Sequence, residues 1–293
     1  MQIAFHIGAN CTNGDRLLKS ILRNADALAK ERIAVPGPSR YRKLIRETIQ
    51  TLDGAKPAEN AGDVLLDTII ENDDANRIIL SNDNFMAVPN GIFNNAVFYP
   101  QAGPKIRALQ RIFPDADLSL YMAIRNPVTF LQEALERSDA KSLPEYLGIM
   151  QPREIRWSDV VKRIKEAAPD IPIGIWCDED SPLLWDQLIR GITRASDQTP
   201  LVGGFDMLSH VISREGIKLL QQNLKTSPPQ THPARHDMIA EVWETHALPD
   251  RIEDEITLPE LDPSLVEQMT ESYDADVERI SQMKGVEVLL PFR

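Results

Sequence analysis

Short apolar runs alternate with longer amphipathic stretches over the first two thirds of the chain. The short runs predict buried strands at 2–8, 77–80, 118–124 and 172–176. In the longer stretches apolar residues recur every three or four positions, which predicts helices at 16–30, 41–52, 104–113, 128–137, 157–168 and 182–193. Strands that alternate with helices are typical of a parallel sheet covered on both faces, so we predict a three-layer α/β/α fold with a central parallel sheet.

The last third of the chain has a different pattern. It predicts helices around 215–224, 237–246 and 263–283, followed by a closing strand at 285–290. A proline-rich stretch at 227–233 and an acidic stretch at 250–262 are typical of surface linkers. No break in composition separates this helical third from the rest, so we predict one domain over residues 1–293.

Composition narrows the classes of function. The formal net charge of −12 disfavours extended nucleic-acid binding, which needs a basic face. No apolar stretch approaches the roughly 18 residues of a membrane span, and the start of the chain lacks the pattern of a signal peptide. Cys11 and Cys177 are too few for a disulfide framework. We therefore expect a cytoplasmic protein with neither a nucleic-acid nor a membrane partner, and the sequence does not indicate its oligomeric state.

The first candidate site is the turn that joins the first strand to the first helix. A helix start presents unpaired backbone N–H groups and a partial positive charge, which favours an anion in the preceding turn. Two other predicted strand ends, 81–84 and 125–126, are also polar, and the ends of parallel strands meet at one edge of a sheet. The predicted anion-binding residues of the turn are Asn10, Cys11, Thr12, Asn13, Gly14, Asp15 and Arg16.

Two groups of residues form a further pattern: His6, Gly8, Thr12, Asn24 and Leu28 near the N-terminus, and the segment Arg125-Asn126-Pro127. They resemble the N-terminal motif and the Arg-Asp/Asn-Pro element of bacterial sulfotransferases. The strand at 78–80 with Ser81 resembles the hydrophobic-Ser-Ser-Glu element. The resemblance implies a sulfotransferase fold of the P-loop NTPase type and 3′-phosphoadenosine-5′-phosphosulfate in the turn. It also implies that Arg125 contacts the 3′-phosphate, and that a small-molecule or glycan hydroxyl is the acceptor.

Two positions depart from the pattern of that family. Cys11 stands where the family has the lysine that stabilises the departing phosphate, and Glu133 stands where it has a serine that holds the 3′-phosphate. Asp15 adds a further negative charge to the turn, although Arg16 and Lys19 could fold back and offset it. Two hypotheses follow: a sulfotransferase that uses the phosphosulfate, or a catalytically inactive protein of the same fold that serves as a binding or scaffold protein.

A transferase would need a base for the acceptor hydroxyl, and the candidates are His6 and Asp83, each at a strand end. His6 can equally be a histidine packed beneath the first helix, and Asp83 a turn or cap residue. Cys11 is an alternative nucleophile at a helix start. The acidic run 178–180 fits either a helix cap or a cation site, and His232 with His236 is a weak metal pair, so we assign no metal site.

One further motif is excluded by its end. The glycine-containing segment 8–14 suggests a nucleotide P-loop, but Gly14 is followed by Asp15-Arg16 rather than by Lys-Ser/Thr. The sequence therefore disfavours an ATPase or a kinase.

Overall fold

A computed structural model describes residues 1–71, 74–229, 231–252 and 255–291, with the side chains of residues 232, 233 and 236 left out. The strands are β1 (Gln2–His6), β2 (Ile33–Ala34), β3 (Arg77–Ser81), β4 (Phe93–Asn94), β5 (Val97–Phe98), β6 (Asp117–Ile124), β7 (Ile173–Cys177) and β8 (Val286–Leu289). Six of these described strands form one parallel sheet in the order β2-β3-β1-β6-β7-β8, and β4 pairs with β5 as a small antiparallel hairpin. The predicted parallel α/β sheet is confirmed.

The helices that surround the sheet lie mostly where the apolar periodicity predicts them. They are α1 (Gly14–Leu22), α2 (Ala25–Ala29), α3 (Pro38–Leu52), α4 (Ala61–Ile69), α5 (Ala102–Ile112), α6 (Pro127–Glu136), α7 (Leu143–Leu147), α8 (Trp157–Ala167), α9 (Ser181–Thr193), α10 (Leu208–Val211), α11 (Arg214–Thr226), α12 (His232–His246) and α13 (Pro263–Ser281). Short 3₁₀ turns lie at Pro89–Gly91, Pro152–Glu154, Asp178–Asp180 and Pro249–Arg251. The chain after residue 207 is thus largely helical, as predicted.

The two faces of the sheet have separate apolar clusters, because successive side chains of a strand point to opposite faces. On β1, Ile3 and Phe5 join one cluster, in which α5 and α8 pack against each other. Ala4 faces the other way and joins Leu17 of α1 and Leu188 of α9. Full burial of each large apolar side chain contributes about 2 kcal/mol, so helices on both faces are needed to cover the sheet.

One predicted helix is interrupted. The apolar spacing predicts a single helix over 16–30, but the chain breaks between α1 and α2 at Asn24. The Asn24 amide donates to the backbone oxygens of Ser20 (2.8 Å) and Val202 (2.9 Å), and its Oδ1 accepts from the Val202 N–H (2.7 Å). The prediction of one continuous helix is wrong, because Asn24 bonds to a segment nearly 180 residues further along the chain.

A third apolar cluster lies within the C-terminal helices. It contains Leu208, Val211, Leu220, Ile239 and Val242 from α10, α11 and α12. Residues of α10 and α12 form part of one wall of the cleft described below. In the residues that the structure describes, no helix has the length and apolar character needed to cross a membrane.

Candidate functional site

A cleft of about 860 Å³ opens at the carboxyl end of the sheet. Its floor is formed by the turn before α1, the start of α6 and the segment that follows β7. Its opposite wall comes from the C-terminal helices and includes Met207, His210, Val211 and Trp243. Ligands of open parallel sheets bind beyond the carboxyl ends of the strands, so this cleft is the candidate ligand site.

The turn is built tightly against the sheet. Strand pairing continues past β1, since the Ile7 N–H donates to the Tyr121 carbonyl and the Ala9 N–H to the Ala123 carbonyl, both at 2.9 Å. Gly8 has a φ of +110°, and a Cβ there would lie 3.0 Å from the Asp83 carbonyl oxygen. Glycine is therefore required where β1 leads into the turn.

The side chains of Asn10 and Thr12 make hydrogen bonds to other groups of the protein. Asn10 is buried, its Nδ2 donates to Asn84 Oδ1 (2.8 Å), and its Oδ1 accepts from the Tyr99 hydroxyl (2.7 Å). The Thr12 hydroxyl donates to the Ala9 carbonyl (2.7 Å). These side chains hold the turn in shape and have their hydrogen bonds within the protein.

Asn13 carries the most informative contact of the turn. Its backbone N–H donates to Asp178 Oδ1 and its side-chain amide donates to Asp178 Oδ2, both at 3.0 Å. Asp178 is buried and follows β7. Burial raises the pKa of Asp178, while the hydrogen bonds from Asn13 and the charge of Arg125 act in the opposite direction. A carboxylate of the protein thus occupies an anion-binding N–H of the turn.

Arg125 reaches the turn but is held by protein groups. Its Nη1 donates to the Cys11 carbonyl (2.8 Å) and also bonds to the carboxylate of Glu133, and its Nε donates to Thr129 Oγ1 (3.0 Å). Arg137 pairs with the other oxygen of Glu133. The resemblance noted in the sequence implies a phosphate-binding serine at the position of Glu133. In the structure the carboxylate of Glu133 instead forms an ion pair with Arg125, the guanidinium that the resemblance assigns to the phosphate.

Gly14, Asp15 and Arg16 begin α1. A Cβ on Gly14 would lie 2.7 Å from Cε1 of His6, so the ring beneath the helix leaves room only for glycine. Asp15 is exposed, lines the cleft and pairs with Arg42 (2.7 Å), so a cation partly offsets its negative charge. Arg16 lines the cleft, and its Nη1 lies 3.9 Å from the sulfur of Met207.

His6, a candidate base, is packed in the interior. It is 1% exposed, its Nδ1 lies 2.8 Å from the Ser81 hydroxyl, and its ring stacks on Trp176 with 5.7 Å between centroids. Burial lowers the pKa of His6 to about 4, with a smaller contribution from Arg42. The ring is neutral at neutral pH and lies beneath α1, outside the described lining of the cleft.

The other candidate base, Asp83, also lies behind the turn. It is half-buried, and burial followed by the charge of Asp15 raises its pKa. It is outside the described lining of the cleft. The end of β3 therefore supports the turn from behind, through Asn84 on Asn10, rather than facing the cleft.

Cys11 lines the cleft with little exposed surface. Its side chain is 1% exposed, and burial, then the charge of Glu133, raises the pKa of the thiol to about 12. A thiol with so high a pKa is almost entirely protonated at neutral pH, so it is a poor nucleophile. The arrangement gives no support to Cys11 as a catalytic residue.

Sequence reasoning left the role of one cleft residue open and missed two others. Asp178 belongs to the acidic run that fits a helix cap or a cation site, and the structure shows it bonding to the turn before α1 as well as accepting from the Ser181 hydroxyl (3.2 Å). His210 and Arg251 line the cleft because the C-terminal helices fold over it. The histidine pair His232 and His236 has side chains outside the described residues.

Comparisons with protein-family models, with curated proteins and with solved structures found no match to this chain. Any assignment of function therefore depends on the geometry of the cleft.

Proposed function

We propose that this protein is a small-molecule-binding protein, built on a sulfotransferase-like fold, that does not hold a nucleotide phosphosulfate at the turn. It corresponds to the second of the two hypotheses from the sequence, the inactive binding protein. The observation that carries the proposal is the pair of internal carboxylates, Asp178 on the Asn13 N–H and Glu133 on Arg125.

The charges at the turn explain why the phosphosulfate does not fit. Its 5′-phosphosulfate would meet the carboxylate of Asp178, and its 3′-phosphate would meet that of Glu133. Two unit charges of like sign at 4 Å repel by about 4 kcal/mol near a protein surface. Cys11 supplies no positive charge in compensation, because a thiol is either neutral or negative.

The size of the cleft supports a binding role. Its volume of about 860 Å³ lies within the range of small-molecule sites, and its wall combines charged residues with the apolar surfaces of Val211 and Trp243. A ligand can bind there without contacting the buried donors of the turn.

A nucleotide-dependent sulfotransferase is the second candidate function. It is favoured by Arg125, whose guanidinium is directed at the turn and lies 2.8 Å from the Cys11 carbonyl. This function would require Glu133 to release Arg125 when the nucleotide binds.

Thermal unfolding with adenosine 3′,5′-bisphosphate distinguishes the two candidates. A ligand at a hundred times its dissociation constant stabilises a protein by about 2.7 kcal/mol. We expect the nucleotide to shift the unfolding temperature equally in the wild type and in Arg125→Gln, because Arg125 is not available to a ligand. Arg137→Gln is the matched control, since Arg137 also pairs with Glu133.

A response that is lost in Arg125→Gln and kept in Arg137→Gln would overturn the proposal. Glu133→Gln gives a second test that does not depend on the folding of Arg125→Gln. If Glu133 blocks Arg125, this variant should bind the bisphosphate at least tenfold more tightly than the wild type. An unchanged affinity together with sulfuryl transfer by the wild type would support the transferase instead.

A further inference from the structure

The charged side chains of the cleft are unequally paired. In the described part of the cleft, every carboxylate has a partner within the protein. Asp15 pairs with Arg42, Glu133 with Arg125 and Arg137, Asp178 with Asn13, and Glu179 with the Asn126 N–H (2.7 Å) and the Tyr273 hydroxyl (3.2 Å). The cations Arg16, Lys19 and Arg251 have no carboxylate partner among the described residues. The unsatisfied charge of the cleft is therefore positive.

Two of these cations, Arg16 and Arg251, lie close enough to act on His210, and Lys19 lines the same cleft. We call Arg16, Lys19, His210 and Arg251 the rim cluster. All four line the cleft, Lys19 follows Arg16 by one turn of α1, and Arg251 Nη1 donates to the His210 carbonyl (3.1 Å). Burial, and then the charges of Arg16 and Arg251, lower the pKa of His210. The cluster thus brings together groups from α1, α10 and the 3₁₀ turn Pro249–Arg251.

One acidic side chain acts on His210 but does not neutralise the cluster. Asp206 is the carboxylate that acts on His210 in the opposite direction. Its Oδ2 accepts from the Ser20 hydroxyl (2.6 Å) and pairs with Arg23, so its charge is already committed. The chain as a whole has a net charge of −12. These cations nevertheless repel each other, because like charges without a counter-ion beside them do so. An anionic ligand would relieve this repulsion.

We propose that the rim cluster binds the phosphate or sulfate group of a small organic ester. Several arginine and lysine donors suit a tetrahedral oxyanion, because their charge-assisted hydrogen bonds are the strong ones. The organic part of the ester then lies against the apolar wall formed by Met207, Val211, Trp243 and Ile252. This inference rests on the proposed function, since it names the class of ligand for the same cleft.

Isothermal titration at constant ionic strength with phenyl phosphate, phenyl sulfate and inorganic phosphate tests the assignment. We expect saturable binding of a phenyl ester, tighter than that of inorganic phosphate, and whichever of the two phenyl esters binds identifies the oxyanion. Arg16→Gln and Arg251→Gln should each weaken that binding at least tenfold. Arg111→Gln is the matched control and should change the affinity less than twofold. Arg111 is likewise an arginine whose Nη1 donates to a single backbone carbonyl, that of Gly54 (3.0 Å), and it lies outside the described lining of the cleft.

Three results would overturn the assignment: no binding of either ester at 10 mM, undiminished binding in both rim variants, or equal affinity for inorganic phosphate and the phenyl esters. The test is separable from that of the proposed function. Failure of the proposed function appears as nucleotide binding that depends on Arg125, whereas the rim cluster is scored by ester binding that depends on Arg16 and Arg251.

Discussion

The carboxylate of Asp178 accepts hydrogen bonds from both the backbone N–H and the side-chain amide of Asn13, so the end of β7 is tied to the start of α1. Contacts of this kind between a carboxylate and a helix start are stabilised by the helix dipole. Asp178 therefore does inside the protein what an anionic ligand was expected to do in the turn.

Replacement of Asp178 separates its hydrogen bonds from its charge. Asp178→Ala removes the acceptor for Asn13 and Ser181 and should lower the free energy of unfolding by about 2 kcal/mol. Asp178→Asn keeps the shape and one acceptor and should cost less. Urea unfolding at neutral pH measures both, and equal losses in the two variants would contradict this account.

The pKa of Asp178 adds a pH dependence with a defined sign. Because burial raises this pKa above its ordinary value of 3.8, the folded protein binds a proton that the unfolded chain has lost. The contribution of Asp178 to stability therefore falls as the pH rises from 3.8 to its folded pKa. The difference in unfolding free energy between wild type and Asp178→Asn should change with pH in this window, and a constant difference would contradict the prediction.

His6 should give the opposite dependence. Its pKa is lowered from 6.5 to about 4, so between these values the unfolded chain takes up a proton that the folded protein does not. The contribution of His6 to the free energy of unfolding should be fully present above pH 6.5. It should fall by about 3 kcal/mol as the pH decreases from 6.5 to 4. His6→Gln should have a shallower acid limb in urea unfolding. An unchanged slope would show that His6 does not set it.

Gly14 and His6 should be energetically coupled. A Cβ at position 14 would approach His6 Cε1 to 2.7 Å, so Gly14→Ala should lower the unfolding free energy by about 1–3 kcal/mol. In a His6→Ala background the same change should cost less, because the space beneath α1 is open. Gly191→Ala in α9 is the control, since its Cβ meets nothing within 4 Å, and it should be neutral or slightly stabilising. Equal costs of Gly14→Ala in both backgrounds would refute the coupling.

The two cysteines should react slowly in the folded protein. Burial raises the pKa of Cys11 and of Cys177 to about 12. At pH 8 the thiolate fraction is then about three orders of magnitude below that of an ordinary cysteine. Labelling with a chromogenic disulfide should be slow in buffer and fast in urea. Rapid modification of one thiol in the native protein would show a reactive site.

The sheet could be predicted because its strands are buried on both faces and so appear as short apolar runs. Residues 118–124, for example, form most of β6, and this run is recognisably apolar without any knowledge of which strands lie beside it. The order of the strands could not be predicted, since it depends on which helices cross which face. The break between α1 and α2 could not be predicted either, because Asn24 bonds to Val202 from a distant segment.

The candidate site was predictable in part for the same reason. The turn before α1 and Arg125 do meet, as expected for the ends of neighbouring parallel strands β1 and β6. The contact between Asn13 and Asp178 could not be predicted, because three adjacent acidic residues at 178–180 are also typical of a helix cap. The rim cluster depends on how the C-terminal helices pack over the end of the sheet. The apolar pattern of these helices does not predict that orientation, so the cluster could not be predicted.

The contacts between the end of α1 and the segment before α10 have a consequence for the cleft. Ser20 and Arg23 hold Asp206, and Asn24 holds Val202, so the chain that leads to His210 is fastened to the helix that carries Arg16. The positive groups therefore lie close together in the folded protein before any ligand binds. If the proposed anion binds there, it therefore needs little rearrangement of these side chains.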